Sequence, residues 1–458
     1  MATHPIELST RVIDSGVVDE RLNRVDGDIW ELTDNVAIVE GFSHCVTVNT
    51  GDGLMCFDAS GVQSGAKVVE AIRTWSSAPI SHLVYTHGHL DHVGGSGAFL
   101  SDTQARGTKR PVVVSHEAVL PRFERYNDMS DFNNLINRRQ FGGIRADHGL
   151  GIGTGELAPP AGPRPSGTSP IGAAGRPGPK FERFLPESAL APDTTFRESL
   201  SMTVGNLAVD MYHDRGETDD HLWAWFPEKK WIVTGDFIIW NFPNAGNPQK
   251  VQRYAAEWAR ALRRMVAMGP ELLLPAHGLP IVGKERIAMV LGDIATALES
   301  LVTQVIHMMN DGATLDTIVH TVKVPDAVLA KPYLRPLYDE PEFVVRGIWR
   351  MYGGWWDGAA SRLKPSPDAV LGAEIASLAG GADVLMARAK GLAEDGDMRL
   401  ACHLADFAGW AAPDDAAVHA RRAELYELRR KQELSLMSKG IFRAAARESE
   451  AVVKRTQQ

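Results

Sequence analysis

Between Thr86 and Gly95 the chain reads Thr-His-Gly-His-Leu-Asp-His-Val-Gly-Gly. His87, His89, Asp91 and His92 thus put four potential metal-binding side chains within six positions. His87 and His89 are two apart, so in extended backbone both leave the chain on one face and can reach one ion. Asp91 and His92 follow where the chain turns, and can swing to a second ion nearby. Two imidazoles on one ion, and a carboxylate plus an imidazole on the other, suit borderline divalent zinc. Two such ions about 3.5–4 Å apart can share a hydroxide and clamp a substrate oxygen. A histidine-rich surface loop is the competing reading, but this stretch has the strand-then-turn context that a metal motif needs.

The flanking elements supply that context. Ile80 to Tyr85 is a short apolar run that reads as a buried strand, and Gly94-Gly95-Ser96-Gly97-Ala98 reads as a turn or helix start. The cluster therefore sits at the C-terminal end of a strand, where open α/β sheets place their ligand crevices. Upstream, residues 27–60 alternate as strands, with a hairpin turn at Thr50-Gly51-Asp52-Gly53 and a last strand ending in Asp58. Asp58 either hydrogen-bonds a ligand histidine or faces water. Ala66 to Trp75 has helical spacing, and Pro111 to Val114 is another buried strand. Downstream, the strand Leu207–His213 leads into Gly216-Glu217-Thr218-Asp219-Asp220-His221. Trp231 to Phe237 is a strand ending near Asp236, and Leu272 to Gly278 carries His277 after an apolar run. Half of residues 151–180 are glycine or proline, so neither helix nor strand persists there and a flexible loop is expected. From Lys284 onward the pattern turns helical.

Composition narrows the class. The 458 residues are 44% apolar and 23% charged, ordinary for a globular protein of two or three domains. A formal net charge of −9 gives no electrostatic case for nucleic acid as a partner. Cys45, Cys56 and Cys402 are too few and too scattered for a disulfide framework or a cysteine zinc site. No secretory signal is visible at the N-terminus, and no run approaches the ~18–20 apolar residues of a membrane span. A cytoplasmic location is the resulting expectation.

His-x-His-x-Asp-His followed by Gly-Gly resembles the signature of the metallo-β-lactamase fold. The implied architecture is α/β: an αβ/βα sandwich with a dinuclear metal site along one edge. The resemblance implies that His87, His89 and Glu217 hold one ion, that Asp91, His92 and His277 hold the other, and that Asp236 bridges them. Two zinc ions are the implied cofactors, with Asp91 and Asp236 also candidate catalytic groups. Glu217 stands where most members of the fold have histidine. Alkylsulfatases of the same fold resemble this chain in having glutamate there, and Phe226-Pro227-Glu228 closes the next strand as in that family. His221 reads as a ligand or, in the preferred reading, as a group that backs one.

Three further features carry the alkylsulfatase likeness. Residues 131–143 are similar to an Asn-rich segment with Arg-Arg that borders the active site in that family, which makes Asn137 a candidate substrate contact. The block Arg346 to Gly358, with Tyr352-Gly353-Gly354-Trp355-Trp356-Asp357, resembles the alkylsulfatase dimerisation domain. There Arg346 and Tyr352 match residues that help hold sulfate, and an arginine fork suits a tetrahedral oxyanion. The implied organisation is a catalytic domain over 1–283, an all-α dimerisation domain over 284–448, and a tail over 449–458, forming a homodimer through the helical domain.

Two departures accompany these matches. The chain is expected to be a short form without the sterol-carrier-like domain of many relatives. The segment after Asp236 lacks the family's sulfate-contacting arginine, with neutral Asn244 and Asn247 there. The expected function is hydrolysis of an alkyl or aryl sulfate ester, a small anionic substrate, by metal-activated water. Attack on carbon or on sulfur stays open, and His213 and His221 are candidate acids by position alone. The alternative is a carboxylic ester, lactone or phosphoester on the same site.

Overall fold

Two mixed β-sheets face each other in the computed structural model, which describes residues 2–141 and 183–457. The Gly/Pro-rich stretch 151–180 lies outside the described residues. The first sheet takes its strands in chain order: β1 (Ile29–Thr33), β2 (Val36–Val39), β3 (Cys45–Asn49), β4 (Leu54–Phe57), β5 (Ile80–Val84), β6 (Val112–His116) and β7 (Thr194–Phe196). Its first four strands form an antiparallel meander, and β4 to β7 are parallel. The second sheet holds β8 (Ser199–Val204), β9 (Leu207–His213), β10 (Leu222–Phe226), β11 (Trp231–Gly235), β12 (Leu272–Pro275) and β13 (Ile281–Val282). It is antiparallel except for the parallel β11–β12 pair.

Why these segments are strands follows from where their alternate side chains go. Met55, Phe57, Val84 and Val114 point between the sheets, against Met211, Ala224, Phe226 and Leu274. Their neighbours Leu54, Cys56, Leu83 and Val113 point the other way, onto helices Gly65–Trp75, Ser96–Ala105 and Val119–Asp128. Burial on both faces turns the alternating pattern into near-continuous apolar runs. Trp223, Ile232 and Leu273 play the outer part for the second sheet, packing with Trp258, Leu262, Leu291 and Leu298 of helices Ala255–Met268 and Lys284–Asn310. The result is an αβ/βα sandwich.

Contacts divide the chain into two units. The first holds the described residues up to Asn133 and from 183 to Trp355, so helix Lys284–Asn310 belongs to it. That helix is the one, among the described residues, long and apolar enough to cross a membrane by length and composition. Its apolar stripe has a different reason: Ile287, Val290, Leu291, Ile294, Leu298, Leu301 and Val305 recur at three- and four-residue spacing and are all buried in the core. Polar residues such as Asp293, Thr296 and Glu299 interrupt the stripe, so it is not an unbroken apolar run.

The second unit comprises the described residues 134–141 and those from Trp356 on. Its main helices are Asp368–Ala379, Ala382–Glu394, Met398–Ala411, Ala416–Gln432 and Leu436–Thr456. Alanines dominate its core, with Ala376, Ala389, Ala401, Ala405 and Ala408 beside Leu385, Leu392 and Leu425. Small side chains let these helices approach closely.

Phe57 is 1% exposed and meets Phe226 edge-on across the sandwich at 6.0 Å between ring centres. Phe57→Ala is expected to cost about 3–5 kcal/mol, read as a lower urea midpoint. A loss below about 1 kcal/mol would mean that the two sheets do not pack as described.

Candidate metal centre

The site grows out of the end of β5. Parallel pairing sets Phe57 of β4 beside Val84 of β5, and just past the two strand ends Asp58 meets Thr86. Asp58 accepts hydrogen bonds from Thr86 N and Thr86 Oγ1, each at 2.8 Å, and its Oδ2 lies 2.8 Å from His92 Nδ1. Ser43 Oγ also approaches that nitrogen, at 3.1 Å. The second imidazole nitrogen, His92 Nε2, is therefore turned away from Asp58. It is buried and has no hydrogen-bond partner.

Seven side chains converge there. His87 Nε2 lies 2.8 Å from His89 Nδ1, and His89 Nδ1 lies 3.7 Å from Glu217 Oε1. Asp91 Oδ2 lies 3.5 Å from both His92 Nε2 and His277 Nε2. Asp236 stands between the two groups: Oδ2 is 3.9 Å from His87 Nε2, while Oδ1 is 3.5 Å from His92 Nε2 and 3.4 Å from His277 Nε2. Within His87–His89–Glu217, within Asp91–His92–His277 and within His87–His92–Asp236, the ligand atoms lie within 4.8 Å of one another. Buried Asp236 Oδ1, like His92 Nε2, lacks a hydrogen bond. Orphaned buried polar atoms are costly, and a divalent cation would satisfy both. The donor set of imidazole and carboxylate fits such a cation.

Buried partners hold the cage from outside. Glu217 Oε1 is 2.8 Å from Arg253 Nη1 and also accepts from Asn244 Nδ2. Arg253 Nη1 further donates to the Glu217 carbonyl at 2.5 Å. Gly88 N donates to Asp220 Oδ2 at 3.0 Å, and Arg122 grips both Asp220 and Asp219. A Cβ at Gly88 would lie 2.7 Å from Arg122 Cδ, so only glycine lets that brace close on the loop. His221 is not among the clustered ligand atoms. Its Nε2 accepts from Asp236 N at 3.1 Å while its ring stacks on Phe237, so it steers Asp236 from behind. His44 does the same for the His277 loop, through Gly278 O at 2.8 Å.

The charge state follows from this crowding. Burial alone would strip protons from the imidazoles, and it does hold His87 and His89 well below the usual range. His92 and His277 go the other way. Against the pull of burial, Asp236 and its neighbouring carboxylates raise His92 well above its ordinary value and push His277 up to about 10. Burial pushes Glu217 up to about 8, against the opposing pull of Arg253. Lys250, buried and next to Arg253, is lowered to about 7 although Asp91 and Glu217 oppose the shift. His221 is held down near 3 by burial, and so is neutral.

The remaining candidates are not among the clustered ligand atoms. His213 stacks face to face on His116 with ring centres 3.7 Å apart. Arg346 and Tyr352 lie on helix Pro341–Gly353 and are exposed, with Arg346 Nη2 3.3 Å from Glu342. No ion pair or hydrogen bond joins either of them to the cage among the described residues. Asn137 lies on helix Ser130–Gln140, in the second unit. Sequence reasoning missed Arg253, Lys250, Asn244 as a partner of Glu217, and the Arg122–Asp220 brace. Lys250 and Arg253 sit in an irregular stretch with no periodicity to mark them. Asp219 and Asp220 were visible as acids beside Glu217, but only the fold shows which arginine they meet.

Metal uptake has a signed consequence for protons. His92, His277 and Glu217 all have raised values, so each holds a proton at pH 7 in the metal-free protein, whereas a metal ligand must be deprotonated. Binding at pH 7 is therefore expected to release about two to three protons, and apparent affinity falls as pH drops. Calorimetry in buffers of different ionisation enthalpy measures this, and no proton release would contradict the charge state described.

Comparison with known proteins sets these features in a family. Residues 38–277 match the metallo-beta-lactamase superfamily, and residues 314–451 match the family described as alkyl sulfatase dimerisation. A linear primary-alkylsulfatase from a Pseudomonas species is 26% identical over 379 residues, 80% of this chain and 66% of that protein. An (R)-specific secondary-alkylsulfatase from Pseudomonas is 21% identical, covering 89% of this chain and 60% of its own length. Alkyl/aryl-sulfatase BDS1 of Saccharomyces cerevisiae is 22% identical, covering 86% and 59%. The chain thus spans less than two thirds of the length of each of these relatives. The solved structure of the stereoselective inverting sec-alkylsulfatase Pisa1 from Pseudomonas superposes with a TM-score of 0.75 at 20% identity, over 92% of this chain and 65% of that one. That likeness is one of fold. With more than half of its length matched, the chain belongs to the metallo-beta-lactamase superfamily, and a match to the alkyl sulfatase dimerisation family follows that domain.

Proposed function

We propose that the seven cage residues hold two zinc ions and that the protein hydrolyses alkyl or aryl sulfate esters. The observation that carries this is the position of Asp236, which gives one oxygen to the His87 side and the other to His92 and His277. A carboxylate so placed suits a bridge between ions held by His87, His89 and Glu217 and by Asp91, His92 and His277. Zinc bound there supplies Lewis acidity, which lowers the pKa of water towards ~7 and polarises an ester oxygen. Asp91 and Asp236 orient the attacking water by accepting its hydrogen bonds. Similarity to proteins named as primary, secondary and aryl sulfatases supports a sulfate ester as the substrate.

Lys250, in the irregular segment that also carries Arg253 to Glu217, is proposed as a cation that meets the sulfate group. In its protonated form, which an anionic ester would favour, its ammonium steadies negative charge on the sulfate group. Asn137, Arg346 and Tyr352 are proposed as further substrate contacts on family likeness. The match to a dimerisation family supports a homodimer.

The test is sulfate release from short primary, secondary and aryl sulfate esters, measured by ion chromatography on metal-loaded protein. His87→Ala is expected to cut release by roughly 100-fold or more. Lys250→Met is expected to raise KM about tenfold or more while metal content stays unchanged. No release from any ester, with metal bound, would overturn the sulfatase reading and favour a carboxylic ester, lactone or phosphoester.

A further inference from the structure

The two halves of the cage carry different charge. Around Asp91, His92 and His277 no arginine pairs with Asp91 among the described residues, and a second carboxylate, Asp58, backs His92 at 2.8 Å. Around His87, His89 and Glu217 the carboxylates that can reach an ion, among the described residues, are Glu217 and Asp236, and a buried guanidinium offsets Glu217, while Asp220 behind Gly88 is taken up by Arg122. Arg253 is 4% exposed, and its Nη1 lies 2.8 Å from Glu217 Oε1. The same oxygen also accepts from Asn244. Arg253 Nε is buried and makes no hydrogen bond among the described residues, so Glu217 is the carboxylate that pairs with this guanidinium directly. Arg122, the other arginine near His89, is balanced by Asp220 and Asp219.

We infer that Arg253 makes the two metal positions unequal, so that they fill in order. The Asp91–His92–His277 position binds first and tightly; the His87–His89–Glu217 position binds second and weakly. The physical reason is that a divalent ion entering the second position meets a ligand oxygen already shared with a cation and an amide. It also draws Glu217 away from Arg253, whose charge then has less to offset it in a dry site, where charges interact strongly. Arg253 is here a positioning residue: it fixes the rotamer of Glu217 and lowers what that carboxylate can offer a metal. The inference rests on the reading that the cage holds two ions.

The test titrates metal-free protein with zinc alone, followed by calorimetry against a competing chelator and by metal content after dialysis. Two binding steps, roughly tenfold or more apart in Kd, are expected. His89→Ala is expected to abolish the weaker step and spare the tighter one, and His277→Ala to weaken the tighter one. Arg253→Gln keeps a hydrogen-bond donor for Glu217 but removes the charge, and is expected to strengthen the weaker step several-fold without moving the other. Two equal steps, or loss of the tighter step in His89→Ala, would overturn the inference while leaving two-ion binding intact. A weaker second step in Arg253→Gln would also overturn it, by making the arginine a net support. Failure to bind any zinc would instead overturn the underlying reading. The wild-type titration and the two histidine variants decide the order even if Arg253→Gln does not fold.

Discussion

Crowding ionisable groups into a dry cage is the constraint that the rest of the first unit answers. His87, His92, Glu217, Asp236 and His277 are all buried, and each carboxylate there would be destabilised alone. Protons on His92 and His277 supply counter-charge in the metal-free protein, and divalent ions suit the same oxygens and nitrogens better. Most of the polar detail around the site limits what these side chains can do other than face inward.

The sandwich makes that arrangement possible through register. Parallel pairing of β4 and β5 brings Asp58 to Thr86 and His92. Parallel pairing of β11 and β12 carries Asp236 and His277 to the same edge from the second sheet, because each follows its strand's end. A backbone bond from Leu222 N to Thr86 O, 2.7 Å, ties the two sheets together beside the metal loop. Gly235, at φ 52°, completes the fit, since a Cβ there would lie 2.6 Å from His221 Nε2 and 2.7 Å from Thr86 Cβ. A strand slipped by one residue would turn the ligand set away from its own centre.

Much of this was legible in the sequence, for identifiable reasons. Short spacing fixes geometry: His87 and His89 must share a face wherever the backbone is extended, and acids or histidines just past apolar runs must gather at strand ends. Strands buried on two faces announce themselves as apolar runs, as Leu54–Phe57 and Ile80–Val84 do. What stayed hidden depends on long-range contact between irregular segments. Arg253 reaches Glu217 across 36 positions and Arg122 reaches Asp220 across 98, and no local pattern encodes either pairing. The apolar stripe of Lys284–Asn310 shows the converse: its spacing was plain, but only packing assigns it to the first unit's core.

Two ions held by the two histidine–carboxylate groups, with Asp236 between them, would account for the whole cage. Anomalous diffraction from crystals grown with excess zinc tests it most directly. The account expects two zinc peaks about 3.5–4 Å apart, one against His87, His89 and Glu217 and the other against Asp91, His92 and His277, with Asp236 touching both. A single peak at saturating zinc, or peaks that leave Asp236 or Glu217 without a metal contact, would contradict it.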